Sequence, residues 1–207
     1  MILTAAIRFE LGDHHTYEFV EGHLPAKMSA GLQDITSSAD EFFAYTDNDN
    51  IKESCDDALD LLDAYLEAEG PFDGVLAFSQ GASIVATYIA RRLRQNPELE
   101  RTNPAFKCAI FFSASSVFSI EDLRRGELRE MTGDVDGEII HIPTAHIWGS
   151  KDKRNNEAVD VSTLCAANVR EIYVHDGGHE VPGAGSKIAV KSCVHTMRRV
   201  ISIASYG

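Results

Sequence analysis

The chain has 207 residues, of which 44% are hydrophobic and 25% charged, an ordinary globular composition with enough apolar material for a sizeable core. Its formal net charge of -13 excludes nucleic acid and anionic membrane surfaces as natural partners, because both repel an acidic protein. The four cysteines (Cys55, Cys108, Cys165 and Cys193) form no C-x-x-C pair and no metal-ligand spacing, so neither a disulfide framework nor a metal site is indicated.

In chain order, "MILTAAIRFELG" places Ile2, Leu3, Ala6, Ile7 and Leu11 on one helical face, with Gly12 as the stop. That opening lacks the basic region of a leader peptide, and no run approaches the ~20 apolar residues of a membrane span. A cytoplasmic, reducing setting is expected. "HTYEFVEG" is short and β-rich, so a strand is predicted over Tyr17 to Val20. Residues 24–50 lack periodicity apart from the aromatic cluster "EFFAY", and a loop that long in a compact domain is usually functional. From Ile51 the apolar spacing turns helical and ends at Gly70-Pro71. Next come a buried strand, "GVLAF", a helix, "GASIVATYIARRLR", and a second buried strand, "KCAIFFS". A short helix and a loop are expected over 119–141, then strands "TAHIWG" and "VREIYV", and a closing helix "SKIAVKSCVHTMRRVISIA". Buried strands alternating with helices predict a parallel sheet covered on both faces, in one three-layer α/β domain spanning 1–207.

Ligands of such sheets bind beyond the carboxyl ends of the strands. Ser79 sits at one of those ends, in "GVLAFSQGAS", between the strand and the helix opening at Gln80. This is the pattern of a strained turn presenting a nucleophilic serine, with Ala77 replacing the first glycine of G-x-S-x-G and Gly81 keeping the second. The plainer alternative is a serine that caps the following helix. "HIWGSKD" delivers Asp152 past the next strand end, and "YVHDGGHEVP" delivers His179 past the one after it. Ser, Asp, His is the chain order of an α/β-hydrolase. His175 and Asp176 compete for the same roles, but Gly177-Gly178 gives the His179 ring the freedom to reach back over the sheet. The fragments "TDNDN" and "GDVDG" lack complete calcium-loop spacing and read as turns.

Three motifs in register, "GPFDGVLAFSQGA", "IPTAHIWGSKD" and "GGHEVP", resemble the fungal-type serine hydrolase family, which includes polyketide-releasing thioesterases and esterases of other polyketide gene clusters. The resemblance runs over nearly the whole chain and implies an α/β-hydrolase fold with Ser79 as nucleophile, Asp152 as acid and His179 as base. It also implies a further strand ending in His-Gly ahead of the first helix, whose loop would supply an oxyanion donor. The sequence begins inside that helix, so the expected sheet lacks one central strand, and the backbone N–H of Gln80 is the one oxyanion donor that can be named. The strands "HTYEFVEG" and "GVLAF" should then either close up or leave a gap between them.

The expected function is hydrolysis of an ester or thioester of an acyl substrate, polyketide in type, through an acyl-enzyme, with no cofactor. The substrate would be a small molecule or would be presented by a carrier protein. Residues 24–50 form a variable substrate-side loop in this reading. Phe42, Phe43 and Tyr45 from that loop, with Val181 and Pro182 beside the histidine, are the candidate substrate contacts. A non-catalytic binding protein on the same fold is the rival expectation, since losing one oxyanion donor typically costs ~10² to 10³ in rate.

Overall fold

The computed structural model describes residues 3–28 and 41–206. Its main sheet has four strands, all parallel, in the order β3 (Gly74–Phe78), β4 (Cys108–Phe112), β5 (Thr144–Gly149) and β6 (Arg170–His175). Each strand is followed by helical crossovers: α3 (Gln80–Gln95) and α4 (Pro97–Thr102) after β3, α5 (Ile120–Arg124) and α6 (Gly133–Asp136) after β4, α7 (Asn155–Thr163) after β5, and α8 (Lys187–Tyr206) after β6. Ahead of the sheet lie α1 (Ala5–Leu11) and α2 (Ile51–Glu69).

The period of two along β4 divides the core. Cys108, Ile110 and Phe112 face one layer, made with Ile7 and Leu11 of α1 and with Val190, Cys193, Val194 and Met197 of α8. Ala109 and Phe111 face the other, made with Cys55, Leu59 and Leu62 of α2 and with Ala82, Val85 and Ile89 of α3. Because both faces are covered, β4 and β5 are buried at every position, and their sequences read as continuous apolar runs rather than alternating ones. All four cysteines are free and buried. Among the described residues no helix is long and apolar enough to cross a membrane.

Three expectations are corrected. Tyr17 to Val20 joins no strand ladder. The β-rich residues that suggested a strand are used differently: Tyr17 and Phe19 lie beneath the Arg8 guanidinium of α1, 5.6 and 5.2 Å from their ring centroids, so the aromatics pack on a helix instead of a sheet. Consequently β3 has no strand on its outer side among the described residues. Second, segment 24–50 is not structureless. β1 (Leu24–Ala26) pairs antiparallel with β2 (Phe42–Ala44), and a 3-10 turn over Asn48–Asn50 leads into α2. The rest of that expected loop, 29–40, lies outside the described residues, as does Ile2 of the first helical face. Third, the single short helix predicted over 119–141 is two, α5 and α6, joined by a bridge between Phe118 and Glu130.

One buried polar residue sets a measurable property of this core. His146 on β5 is 1% exposed, its ring tilted against Phe111 of β4 at 5.3 Å between centroids and its Nε2 3.1 Å from the Thr144 hydroxyl. Burial, with a smaller contribution from the Arg170 charge, pushes its pKa down to about 3. An unfolded histidine titrates near ~6.5, so between those values the unfolded chain binds a proton that the folded chain refuses. Stability attributable to His146 is therefore intact above about pH 6.5 and is lost as pH falls toward about 3, by up to about 1.4 kcal/mol per pH unit. His146→Gln should remove that share of the acid slope. Denaturant melts between about pH 7 and pH 4 check it, and an unchanged slope would mean that the imidazole is not held neutral.

Candidate active site

Parallel strands bring the loops after β3, β5 and β6 to one edge of the sheet, and that edge holds the candidate residues. Directly after β3 the backbone turns at Ser79 with φ 54° and ψ -121°, a conformation that non-glycine residues rarely adopt and that typically costs about 1–3 kcal/mol. Backbone bonds on both sides hold it there. The Ser79 N–H donates to the Phe112 carbonyl at 2.9 Å, while the Ser79 carbonyl accepts from Ala82, Ser83 and Ser115 N–H groups at 3.0, 3.2 and 3.3 Å. The serine side chain makes no capping bond to α3. Its Oγ lies instead 2.8 Å from Nε2 of His179.

His179 reaches this position through the glycine turn after β6, and its Nδ1 lies 2.6 Å from the Asp152 carboxylate. Phe78, the last residue of β3, packs against the ring at 5.0 Å between centroids. The Asp152 side chain is 4% exposed and the His179 side chain 30%, so the acid is buried behind a histidine that still meets solvent. Burial pushes the Asp152 carboxyl up. The Arg154 N–H, donating to Oδ1 at 3.0 Å, and the His179 ring outweigh that and hold it below its usual value. Asp152 is therefore ionised throughout the neutral range.

Arg154 is placed to suit the tautomer that Asp152 holds. Its Nη2 is 3.1 Å from His179 Nε2, and a guanidinium can only donate. Nε2 must then be the acceptor, which leaves the ring proton on Nδ1, facing Asp152. That is the form in which an imidazole can take a proton from a hydroxyl. The competing pair stands elsewhere. His175 is buried at the end of β6 and accepts the Gly177 N–H on Nδ1 at 3.1 Å, and Asp176 beside it is exposed. Burial holds His175 below the usual histidine range.

The two loops are registered by a main-chain crossing. A Cβ on Gly149, the last residue of β5, would stand 2.2 Å from the Gly178 carbonyl oxygen and 2.3 Å from that of Gly177. The N–H groups of Ser150 and Lys151 donate to the His175 and Gly177 carbonyls at 2.7 and 3.0 Å and close the contact.

Gln80, the first residue of α3, offers a backbone N–H that has no acceptor within its own helix. Its side chain clamps the β2 segment over the turn: Oε1 accepts the Tyr45 N–H at 2.8 Å, and Nε2 donates to the Thr46 hydroxyl at 2.7 Å. The Tyr45 ring lies 3.4 Å from where a Cβ on Gly81 would be, and its hydroxyl donates to the Val20 carbonyl. Tyr45 is thus brought to the serine turn. Phe42 is half-buried and Phe43 exposed on the same strand. Val181 and Pro182 are buried, and Val181 packs in the core with Ile110, Phe112 and Val190, so its side chain faces inward rather than toward an open surface. Neither Arg154 nor the Gln80 amide clamp was anticipated. The only sequence sign of the first is the basic run "KDKR" around Asp152.

A four-stranded parallel sheet with a serine on a strained strand-to-helix turn and a histidine–aspartate pair at the same edge defines the α/β-hydrolase class. Among solved structures, a carboxylesterase from Mesorhizobium loti shares this fold, with a TM-score of 0.51 at 14% identity over 88% of this chain and 73% of that one. A family model described as serine hydrolase (FSH1) matches residues 3–189, and the chain belongs to that family. It is 38% identical over 182 residues to the esterase FPY3 of Fusarium mangiferae, covering 86% of this chain and 80% of that one. It is 31% identical over 169 residues to the hydrolase phiM of a Fungal sp., covering 80% of this chain and 71% of the relative.

The crossing at Gly149 yields a direct test. Gly149→Ala has no room without separating the two loops, so it should destabilise the fold by about 1–3 kcal/mol and lower kcat/KM on any turned-over ester by about 10²-fold. Denaturant melts and ester turnover measure the two effects. A variant as stable and as active as the parent would show that the loops do not depend on this contact.

Proposed function

We propose that the protein hydrolyses an ester or thioester of a small acyl substrate through an acyl-enzyme on Ser79. The observation that carries this reading is the position of His179, within hydrogen-bond reach of the Ser79 hydroxyl on one side and of a buried, ionised Asp152 on the other. Ser79 Oγ attacks the acyl carbon as its proton passes to Nε2. Asp152 holds the tautomer and stabilises the imidazolium that forms. The Gln80 N–H faces the charge that develops on the carbonyl oxygen, where preorganised donors stabilise the transition state most. His179 then gives its proton to the departing alcohol or thiol. A water activated by the same ring releases the acid and restores Ser79. Every group in this cycle belongs to the chain, so the mechanism calls for no cofactor.

The acyl group we infer is of the kind handled by polyketide-cluster esterases, the family that the three motifs resemble. Tyr45, held at the turn by Gln80, is the strongest candidate for contact with it; the half-buried Phe42 and the exposed Phe43 lie further along the same strand.

A fluorophosphonate probe should label the wild type and leave Ser79→Ala unlabelled. Asp152→Asn should keep the fold but lower kcat by about 10³ to 10⁴, because the ring would then lose its orienting charge and tautomer. Labelling of Ser79→Ala, or an Asp152→Asn enzyme with undiminished kcat, would overturn the assignment.

A further inference from the structure

Arg154 stands in a place that the proposed cycle needs empty. The imidazole Nε2 has one in-plane lone pair, addressed by Ser79 Oγ at 2.8 Å and by Arg154 Nη2 at 3.1 Å. During acylation that nitrogen takes the serine proton and passes it to the leaving heteroatom, which is bound to the same carbon as Ser79 Oγ and must reach the same lone pair. In the structure the guanidinium competes for that lone pair.

Arg154 holds no carboxylate directly, although its charge helps to keep the Asp152 carboxyl ionised. Several arginines elsewhere hold carboxylates, Arg91 with Asp60, Arg92 with Glu100, and Arg129 with Asp122 and Asp136, while Arg170 and Arg198 bond main-chain carbonyls. Arg154 makes no ion pair among the described residues, and its side-chain partner is a ring that is neutral in the resting tautomer. Lys151 and Lys153 flank it, exposed and likewise outside any ion pair among the described residues. In a chain of net charge -13, Arg154 is a cation held at the ring nitrogen that faces the reacting serine.

Resting on the hydrolase reading above, we infer that Arg154 receives an anionic group carried by the leaving alcohol or thiol. The substrate class is the ester of a short hydroxy acid, or the thioester of a short mercapto acid, with the carboxylate a few bonds from the scissile heteroatom. A carboxylate there draws the guanidinium off Nε2 into a bidentate pair, which frees the lone pair only when a fitting substrate is bound. The leaving group then departs as the hydroxy or mercapto acid, taking its proton from His179. The phosphate of a carrier protein's pantetheine arm lies too many bonds from the thioester to serve as this anion. A charge on the acyl side is not directed at Nε2, and the test separates it.

The experiment compares three aryl esters, each enzymatic rate being taken relative to that ester's own uncatalysed hydrolysis. They are 3-carboxyphenyl butyrate, its neutral 3-(methoxycarbonyl)phenyl counterpart, and the 3-(methoxycarbonyl)phenyl monoester of succinate, which carries the charge on the acyl side. Wild type should favour the first over the second by about three- to tenfold in kcat/KM, the range for one partly exposed charge pair. High salt should compress the ratio. Arg154→Gln should lose it, and Arg154→Lys should keep part of it. Equal rates for the first two esters, an undiminished ratio in Arg154→Gln, or a preference that follows the succinate would each overturn the inference, the wild-type ratios doing so whether or not either variant folds. Fluorophosphonate labelling separates the two levels. A wild type that neither labels nor cleaves any of the three esters sinks the hydrolase reading itself, whereas labelling without charge preference sinks this inference alone.

Discussion

Because a Cβ on Gly149 would overlap the carbonyl oxygens of Gly177 and Gly178, the loops after β5 and β6 are held at main-chain contact distance. The geometry of Asp152 and His179 follows from it. Parallel strands bring the loops to one edge, but they do so only to within the several ångströms by which loops differ. The 2.6 Å bond between the carboxylate and the ring needs a tighter reference, and two backbones meeting without a side chain between them supply one. The bonds from Ser150 and Lys151 to the facing carbonyls keep that reference from sliding. A glycine that looks like a turn residue in the sequence therefore acts as a spacer of zero thickness.

The serine is positioned by a different device. Ser79 lies in a left-handed conformation, and Ser113, at the matching point beyond β4, does as well, with φ 42°. The two are linked in series: Ser79 bonds the last carbonyl of β4, and two residues past Ser113 the chain returns a bond from Ser115 to the Ser79 carbonyl. The strain at the nucleophile turn is therefore borne by two strand ends together rather than by one residue. Ala77 is tolerated in the turn because the methyl is absorbed into the core on the α2–α3 side of the sheet.

Much of this could be read from the sequence, for reasons that are physical. The two central strands, β4 and β5, are apolar runs because they are buried on both faces, and the serine, aspartate and histidine follow strand ends at spacings that a parallel sheet must bring together. The misreadings share a cause as well. "HTYEFVEG" is β-rich as strands are, but composition does not name the partner, and here Tyr17 and Phe19 pack beneath Arg8. β1 and β2 are three-residue strands separated by fifteen positions, 27–41, with too few residues in each for any periodicity to emerge. Long side chains were the least legible. Arg154 and Gln80 act through atoms many bonds from their backbones, and nothing in local spacing says where those atoms end.

Gln80 joins two matters that enzymes often keep on separate residues. Its main-chain N–H is the oxyanion donor of the proposed mechanism, and its side-chain amide carries the Tyr45–Thr46 segment. Any change in the β2 segment that shifts this amide pulls on the first peptide of α3. In the proposed mechanism, drift in the segment placed to meet the substrate is thereby transmitted to the oxyanion donor, so selectivity and rate would not be free to evolve one at a time.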